Sequence, residues 1–193
     1  LPEFKGGGGF SWRILQRDKR GSILMHFVTT KIDEGACVFR KDFTFSDDER
    51  MPCDMENRQI KEESKYLLPW IEQVVFGQAE LSQLKSFLVP KDELGSHFPR
   101  LSSDLHGGID WSFSMHDLES FVLAFSRPYS GAFTFIKDHK VRILDFDIER
   151  KCYTHPFTYG LVLGVGPKRL LVSCNGGVIS IKNENLCVDV CGF

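Results

Sequence analysis

Two stretches of the chain carry side chains whose type and spacing could do chemistry. The first, LPEFKGGGGF (residues 1–10), sets Lys5 beside four consecutive glycines. A lysine next to bare backbone can hold a phosphate, but no G-K-[ST] follows, no strand precedes it in this chain, and the dinucleotide fingerprint has a different glycine spacing. On their own the glycines read as a flexible loop rather than a site. The second stretch, MHFVTTKIDEG (residues 25–35), puts Asp33 at the end of an apolar run, two residues before Gly35. Ligands of open α/β sheets gather outside the carboxyl ends of strands. A carboxylate there can take a proton or orient a partner; viewed alone, Asp33 reads better as a plain acidic turn residue.

The other reactive side chains are dispersed. Histidines 26, 97, 106, 116, 139 and 155 form no close pair, and His26, inside an apolar run, reads as a packed ring. Cysteines 37, 53, 152, 174, 187 and 191 form no framework and read as reduced thiols of a cytosolic protein. Cys187 and Cys191 sit four apart, but structural zinc sites use two close pairs, so no metal is expected.

Composition bounds the partners. At 193 residues, with 42% hydrophobic and 26% charged, the chain can bury a sizeable core in one or two domains. No apolar run approaches the ~20 residues that span a bilayer, and the start lacks a signal-peptide pattern. Leu1 is not an initiator methionine, so the natural chain is expected to begin earlier. The net charge of −2 and pI near 6.3 advertise no nucleic-acid field. Residues 127–193 carry +3 and residues 1–126 carry −5, a bias read as solvated surface.

These side chains need elements to position them. Trp12, Ile14 and Leu15 suggest a short amphipathic helix ending before Gly21. SILMHFVTT reads as a buried strand, and ACVFRKDFTF as a strand with Arg40, Asp42 and Thr44 on a wet face. Apolar residues at three- and four-residue spacing predict a helix over 58–77, bent at Pro69 and stopped by Gly77. Residues 91–108 turn polar and Gly-rich, a linker. Ser114 can cap a second helix with Leu118, Phe121, Val122 and Phe125 on its apolar side. GAFTFI, KVRILDFDI, GLVLGV, RLLVSC and GVISIK then predict a small closed or half-closed barrel.

The two chemical stretches together resemble the formyltransferases that use 10-formyltetrahydrofolate. Leu1, Pro2, Phe4, Lys5 and Gly6 match that family's Leu-Pro loop, Trp12 and Asp18 the helix after it, and Ile32, Asp33 and Gly35 its acidic turn. HFPRLSSDLHGGIDWSFSMHDLESFVLAFSRPYSGAFTF and GLVLGVGPKRLLVSCNGGVISIK resemble the passage into the C-terminal domain and its last strands. The resemblance implies an α/β fold: the C-terminal half of a Rossmann-like catalytic domain over residues 1–107, then a helix and OB-like barrel over 108–193. Residues 109–193 argue against the glycinamide ribonucleotide enzymes, which have no such domain.

The resemblance implies acyl transfer. A primary amine attacks the formyl carbon of 10-formyltetrahydrofolate, and an Asn and a protonated His stabilise the oxyanion, at ~3 kcal/mol for each aligned donor. Asp33 matches the catalytic carboxylate, and Thr30, Lys31, Ile32 and Asp33 match the segment lining the folate. Lys5, Gly6, Gly7 and Trp12 match the substrate side. The matching Asn and His would fall six and four positions before Leu1, so the chain is expected to be part of a longer enzyme. RPYSGAF and the small positive charge favour a nucleotide-linked amino sugar as acceptor over methionyl-tRNA. A truncated binding module without catalysis is the non-enzyme alternative. Neither a metal nor a membrane is implied, the expected location is cytoplasmic, and a homo-oligomer is left open.

Overall fold

The computed structural model describes residues 5–30, 35–77 and 97–189. The chain clusters into two compact units, residues 1–13 with 18–100, and residues 14–17 with 101–193.

In the first unit, strand β1 (Lys5–Gly6) leads into helix α1 (Gly9–Gln16) and strand β2 (Arg20–His26). Strand β3 (Cys37–Thr44) returns antiparallel to β2, from Arg20 opposite Thr44 to His26 opposite Cys37. Along β3, Arg40, Asp42 and Thr44 are exposed while Cys37 is fully buried, as period-two patterning requires. The expected strand through Thr30 stops at His26, and of its residues only Gly21 and Ile23 are fully buried. Among the described residues β2 has a single neighbour, β3, so its sides are less covered than a buried strand's.

The long helix begins six residues before the expected start, as α2 (Pro52–Glu62). Pro52 needs no hydrogen-bond acceptor in the first turn, and the Asp54 carboxylate accepts from Met51 N–H at 3.0 Å, so the chain is fixed there. A π-turn (Glu63–Leu67) follows, then α3 (Leu68–Phe76). Pro69 lacks an N–H and its ring crowds the preceding turn, so the helix widens before it; Leu68 N–H reaches back to the Glu63 carbonyl. The break expected at Pro69 is therefore taken up just ahead of it. Gly77 ends α3 with its N–H on the Gln73 carbonyl at 2.9 Å.

The predicted linker over 91–108 contains structure. Strand β4 (His97–Phe98) pairs in parallel with β1, and helix α4 (Ser103–His106) follows in the second unit. Helix α5 (Met115–Ala124) is capped as expected, with Ser114 Oγ accepting from Asp117 N–H. Leu118, Val122 and Phe125 are buried in the core of this unit.

Seven strands complete it. β5 (Ala132–Ile136), β6 (His139–Ile143) and β11 (Leu186–Val188) form an antiparallel sheet in the order β11-β6-β5. β7 (Asp147–Lys151), β8 (Val162–Val165), β9 (Arg169–Cys174) and β10 (Gly177–Lys182) form a second, in the order β7-β10-β9-β8. KVRILDFDI, expected as one run, is two strands joined by a corner. Leu144 N–H leaves for the Asn185 carbonyl at 2.9 Å, and Asp145 Oδ1 accepts from Phe146 N–H at 2.8 Å. Leu144 and Phe146 stay buried at that corner. The described strands thus form two ladders, not one closed barrel. Both ladders and the parallel β1–β4 pair make the chain an α/β protein of mixed strand directions.

Arg142 ties this unit together. It is 9% exposed, and its Nε donates to both carboxylate oxygens of Asp189, at 2.8 and 3.0 Å. Nη1 donates to Ser130 Oγ at 2.9 Å and Nη2 to Asp104 Oδ1 at 2.6 Å. Lys140 adds a second bond to Asp104 at 2.7 Å while lying over the Phe133 ring. The two cations hold the Asp104 carboxyl down at about 2, and the Asp189 carboxyl is lowered by Arg142.

Replacing Arg142 with Met leaves Asp189 and Ser130 without their donor and should cost about 2–3 kcal/mol, read by urea unfolding. The acid limb is the second check. A carboxyl held below its unfolded value of 3.8 stabilises the fold above that pH and loses its contribution as pH falls toward about 2. The melting temperature of Asp104→Asn should therefore sit below wild type at neutral pH and converge on it across that acid window.

Candidate functional site

The glycine run is a strand–turn–helix junction. Lys5 and Gly6 pair in parallel with His97 and Phe98. Gly7 then passes Arg100 so closely that a Cβ on it would lie 3.0 Å from the Arg100 Cβ. Gly8 takes a positive φ of 76°, and α1 starts at Gly9, with Trp12 N–H on the Gly8 carbonyl. The sequence predicted a loop here; the β1–β4 pairing is what it missed, because the partner lies 92 positions away along the chain.

Trp12 is held on both sides of its indole. Its Nε1 donates to the Pro99 carbonyl at 2.8 Å, and its ring lies 4.8 Å from the Phe98 ring. The donor is thus committed to the protein, and the ring anchors β4 to α1. Asp18 is likewise committed. It accepts from Arg20 N–H at 2.9 Å, from Arg20 Nε and Nη2 at 3.0 and 2.9 Å, and pairs with Arg13 at 3.4 Å. The Arg20 bonds lead in lowering its carboxyl below the usual range. Asp18 fixes the turn between α1 and β2.

The acidic turn leaves β2 after His26. Phe27 N–H bonds the Ala36 carbonyl at 3.0 Å and brackets the turn. Gly35 is buried against it, and a Cβ on Gly35 would meet the Phe27 carbonyl oxygen at 1.6 Å. Only glycine fits, which is the physical content of the glycine two residues after Asp33. Thr30 is exposed on this turn. Lys31, Ile32 and Asp33 lie outside the described residues, as do Leu1, Pro2 and Phe4 and the side chains of Lys5 and Gly6.

A cavity of about 420 Å³ opens beside β2. Ser22, Leu24 and His26 form its floor, Gly9, Phe10 and Arg13 of α1 one wall, and Gln59, Glu63 and Leu67 the other. Its size is that of a small-molecule site. His26, expected as a packed ring, is half-buried on that floor, with Nδ1 3.0 Å from the Phe27 carbonyl oxygen. Gln59 Nε2 donates to Glu63 Oε1 at 2.9 Å. Sequence reasoning singled out neither Gln59 nor Glu63; the π-turn that begins at Glu63 and ends at Leu67 has both of its ends on this wall.

Among the described residues no three His, Cys, Asp or Glu side chains cluster as metal ligands. Cys187 is exposed, and Cys191 lies outside the described residues. No described helix is long and apolar enough to cross a membrane. Replacing Gly35 with Ala should drive its methyl into the Phe27 carbonyl and cost about 3 kcal/mol, with a lowered melting temperature as readout.

Residues 103–186 match the family described as formyl transferase, C-terminal domain. Methionyl-tRNA formyltransferase of Acetivibrio thermocellus is 25% identical over 182 residues, covering 94% of this chain but 55% of that protein. The chain thus spans about half the length of such relatives. HypX from Aquifex aeolicus, solved with tetrahydrofolic acid, superposes with a TM-score of 0.69 at 16% identity over 93% of this chain and 30% of its own. An N-formyltransferase from Helicobacter canadensis, solved with folinic acid and dTDP-3-aminofucose, gives 0.63 at 14% identity over 94% and 62%. Residues 103–186 thus carry the match to the formyl transferase C-terminal domain, and the chain is similar to formyltransferases over most of its length.

Proposed function

We propose that the protein transfers the formyl group of 10-formyltetrahydrofolate to the primary amine of a nucleotide-linked amino sugar, as part of a longer polypeptide. The observation that carries this reading is the formyl transferase C-terminal match over residues 103–186, downstream of a Gly35 packed against the Phe27 carbonyl. The Helicobacter canadensis neighbour, solved with a folate and a dTDP-amino sugar, supports the choice of acceptor. Residues 1–107 act as the catalytic piece with a Rossmann-like half-sheet, and residues 108–193 as an OB-like domain. The location is cytoplasmic.

In this mechanism the amine nitrogen bonds to the formyl carbon and the carbonyl electrons move onto oxygen. Asp33 takes the proton the amine sheds, directly or through a histidine supplied upstream. Collapse of the oxyanion breaks the bond to N10, which takes that same proton back from Asp33 or the histidine and leaves as tetrahydrofolate. Thr30, Lys31, Ile32 and Asp33 line the folate, and Lys5, Gly6 and Gly7 face the acceptor, with Trp12 holding that loop in place. No step requires a metal.

A second reading, methionyl-tRNA as acceptor, is favoured by the Acetivibrio thermocellus relative. The full-length protein, given 10-formyltetrahydrofolate and each acceptor in turn, should formylate dTDP-amino sugars and leave methionyl-tRNA unmodified; the reverse selectivity establishes the second reading. Asp33→Asn should lower kcat at least ~100-fold with little change in melting temperature. Wild-type turnover by that variant removes Asp33 from the mechanism.

A further inference from the structure

The cavity beside β2 plays no part in the chemistry proposed so far, yet it adjoins both of the stretches matched to that chemistry. Every residue lining it belongs to the first unit. Gly9 and Phe10, on one wall, open α1 as the chain leaves the glycine run, and His26, on the floor, ends β2 just before the acidic turn. On the opposite wall Gln59, Glu63 and Leu67 recur at four-residue spacing, and all three are half-buried. Gln59 Nε2 donates to Glu63 Oε1 at 2.9 Å, so amide and carboxylate form one pair. That bond uses one Nε2 proton and one carboxylate oxygen. Glu63 Oε2 and Gln59 Oε1 accept nothing further among the described residues. Arg13, the cation on the facing wall, is engaged by the Asp18 carboxylate and the Arg20 carbonyl. The cavity therefore offers acceptor oxygens, which suit hydroxyl groups and repel a phosphate. Phe10, Leu24 and Leu67 supply apolar surface for the C–H face of a ring.

We propose, resting on the reading of formyl transfer to an amino sugar, that this cavity seats the sugar ring of the acceptor. Glu63 accepts a hydrogen bond from a hydroxyl beside the amine-bearing carbon, and Gln59 holds Glu63 in place for it. An O–H bond to a carboxylate is stronger than one to a neutral acceptor. A methionyl side chain in the same place would strip water from Glu63 and return no donor. The wall thus discriminates against an apolar acceptor as well as for a hydroxylated one, which makes Glu63 a specificity-determining residue.

Steady-state formylation by the full-length protein, with 10-formyltetrahydrofolate saturating and a dTDP-amino sugar varied, tests this. Glu63→Gln should raise KM for the sugar at least ~tenfold and leave kcat within ~twofold, with the folate KM and the melting temperature unchanged. Of two acceptors that each lack one hydroxyl beside the amine, one should lose a similar factor with wild type and nothing further with Glu63→Gln. Glu56→Gln, at an exposed position of α2, should behave as wild type. An unchanged sugar KM in Glu63→Gln, or hydroxyl deletions that cost the variant as much as wild type, overturn the assignment and leave transfer to the sugar standing. A wild type that formylates no dTDP-amino sugar overturns the acceptor reading and this assignment with it.

Discussion

A guanidinium taken out of water must find acceptors for its N–H groups, and in the second unit Arg142 finds them on three segments far apart along the chain. Asp104 lies in α4, Ser130 in the turn ahead of β5, and Asp189 beyond β11. Each contact alone is a modest hydrogen bond between partly exposed partners. Joined at one buried cation, they fix where the helix, the first hairpin and the last strand meet. The sheet order β11-β6-β5 has Arg142 in its middle strand, so both edges of that sheet are set by the same residue.

The first unit depends on backbone constraints rather than on charge. Gly35 closes the acidic turn against Phe27 because no side chain fits, and Gly7 passes Arg100 for a related reason. Trp12 and Asp18 spend their polar atoms on holding the junctions at either side of α1. These two side chains position the backbone at the ends of α1. Orienting a loop to within a fraction of an ångström is as much a requirement of acyl transfer as the groups that move protons.

Local features were legible in the sequence. The Ser114 cap, the alternation along β3, the stop at Gly77 and the glycine of the acidic turn each follow from residues within a few positions of one another. What the sequence concealed is non-local or depends on register. β1 and β4 are too short to show a pattern and meet across most of the first unit. KVRILDFDI mixes apolar and charged residues closely enough to pass for one strand, and the corner is set by Asn185, forty-one residues after Leu144. The helical periodicity over 58–77 assumed one continuous α-helix. The π-turn inserts about one extra residue, a rotation of roughly 100°, so Ile60 and Val75 end up exposed instead of sharing a buried face.

The similarity of residues 103–186 to a formyl transferase domain bears on function only if the whole polypeptide holds a working folate site. Calorimetric titration of the full-length protein with 5-formyltetrahydrofolate, a stable analogue of the donor, tests that most directly. Saturable binding of one folate per chain, retained in Asp33→Asn and lost when Gly35 is replaced by a bulky residue, is the result expected. No binding by a protein that is folded and melts cooperatively would contradict it, and would leave the chain as a binding module built on a formyltransferase frame.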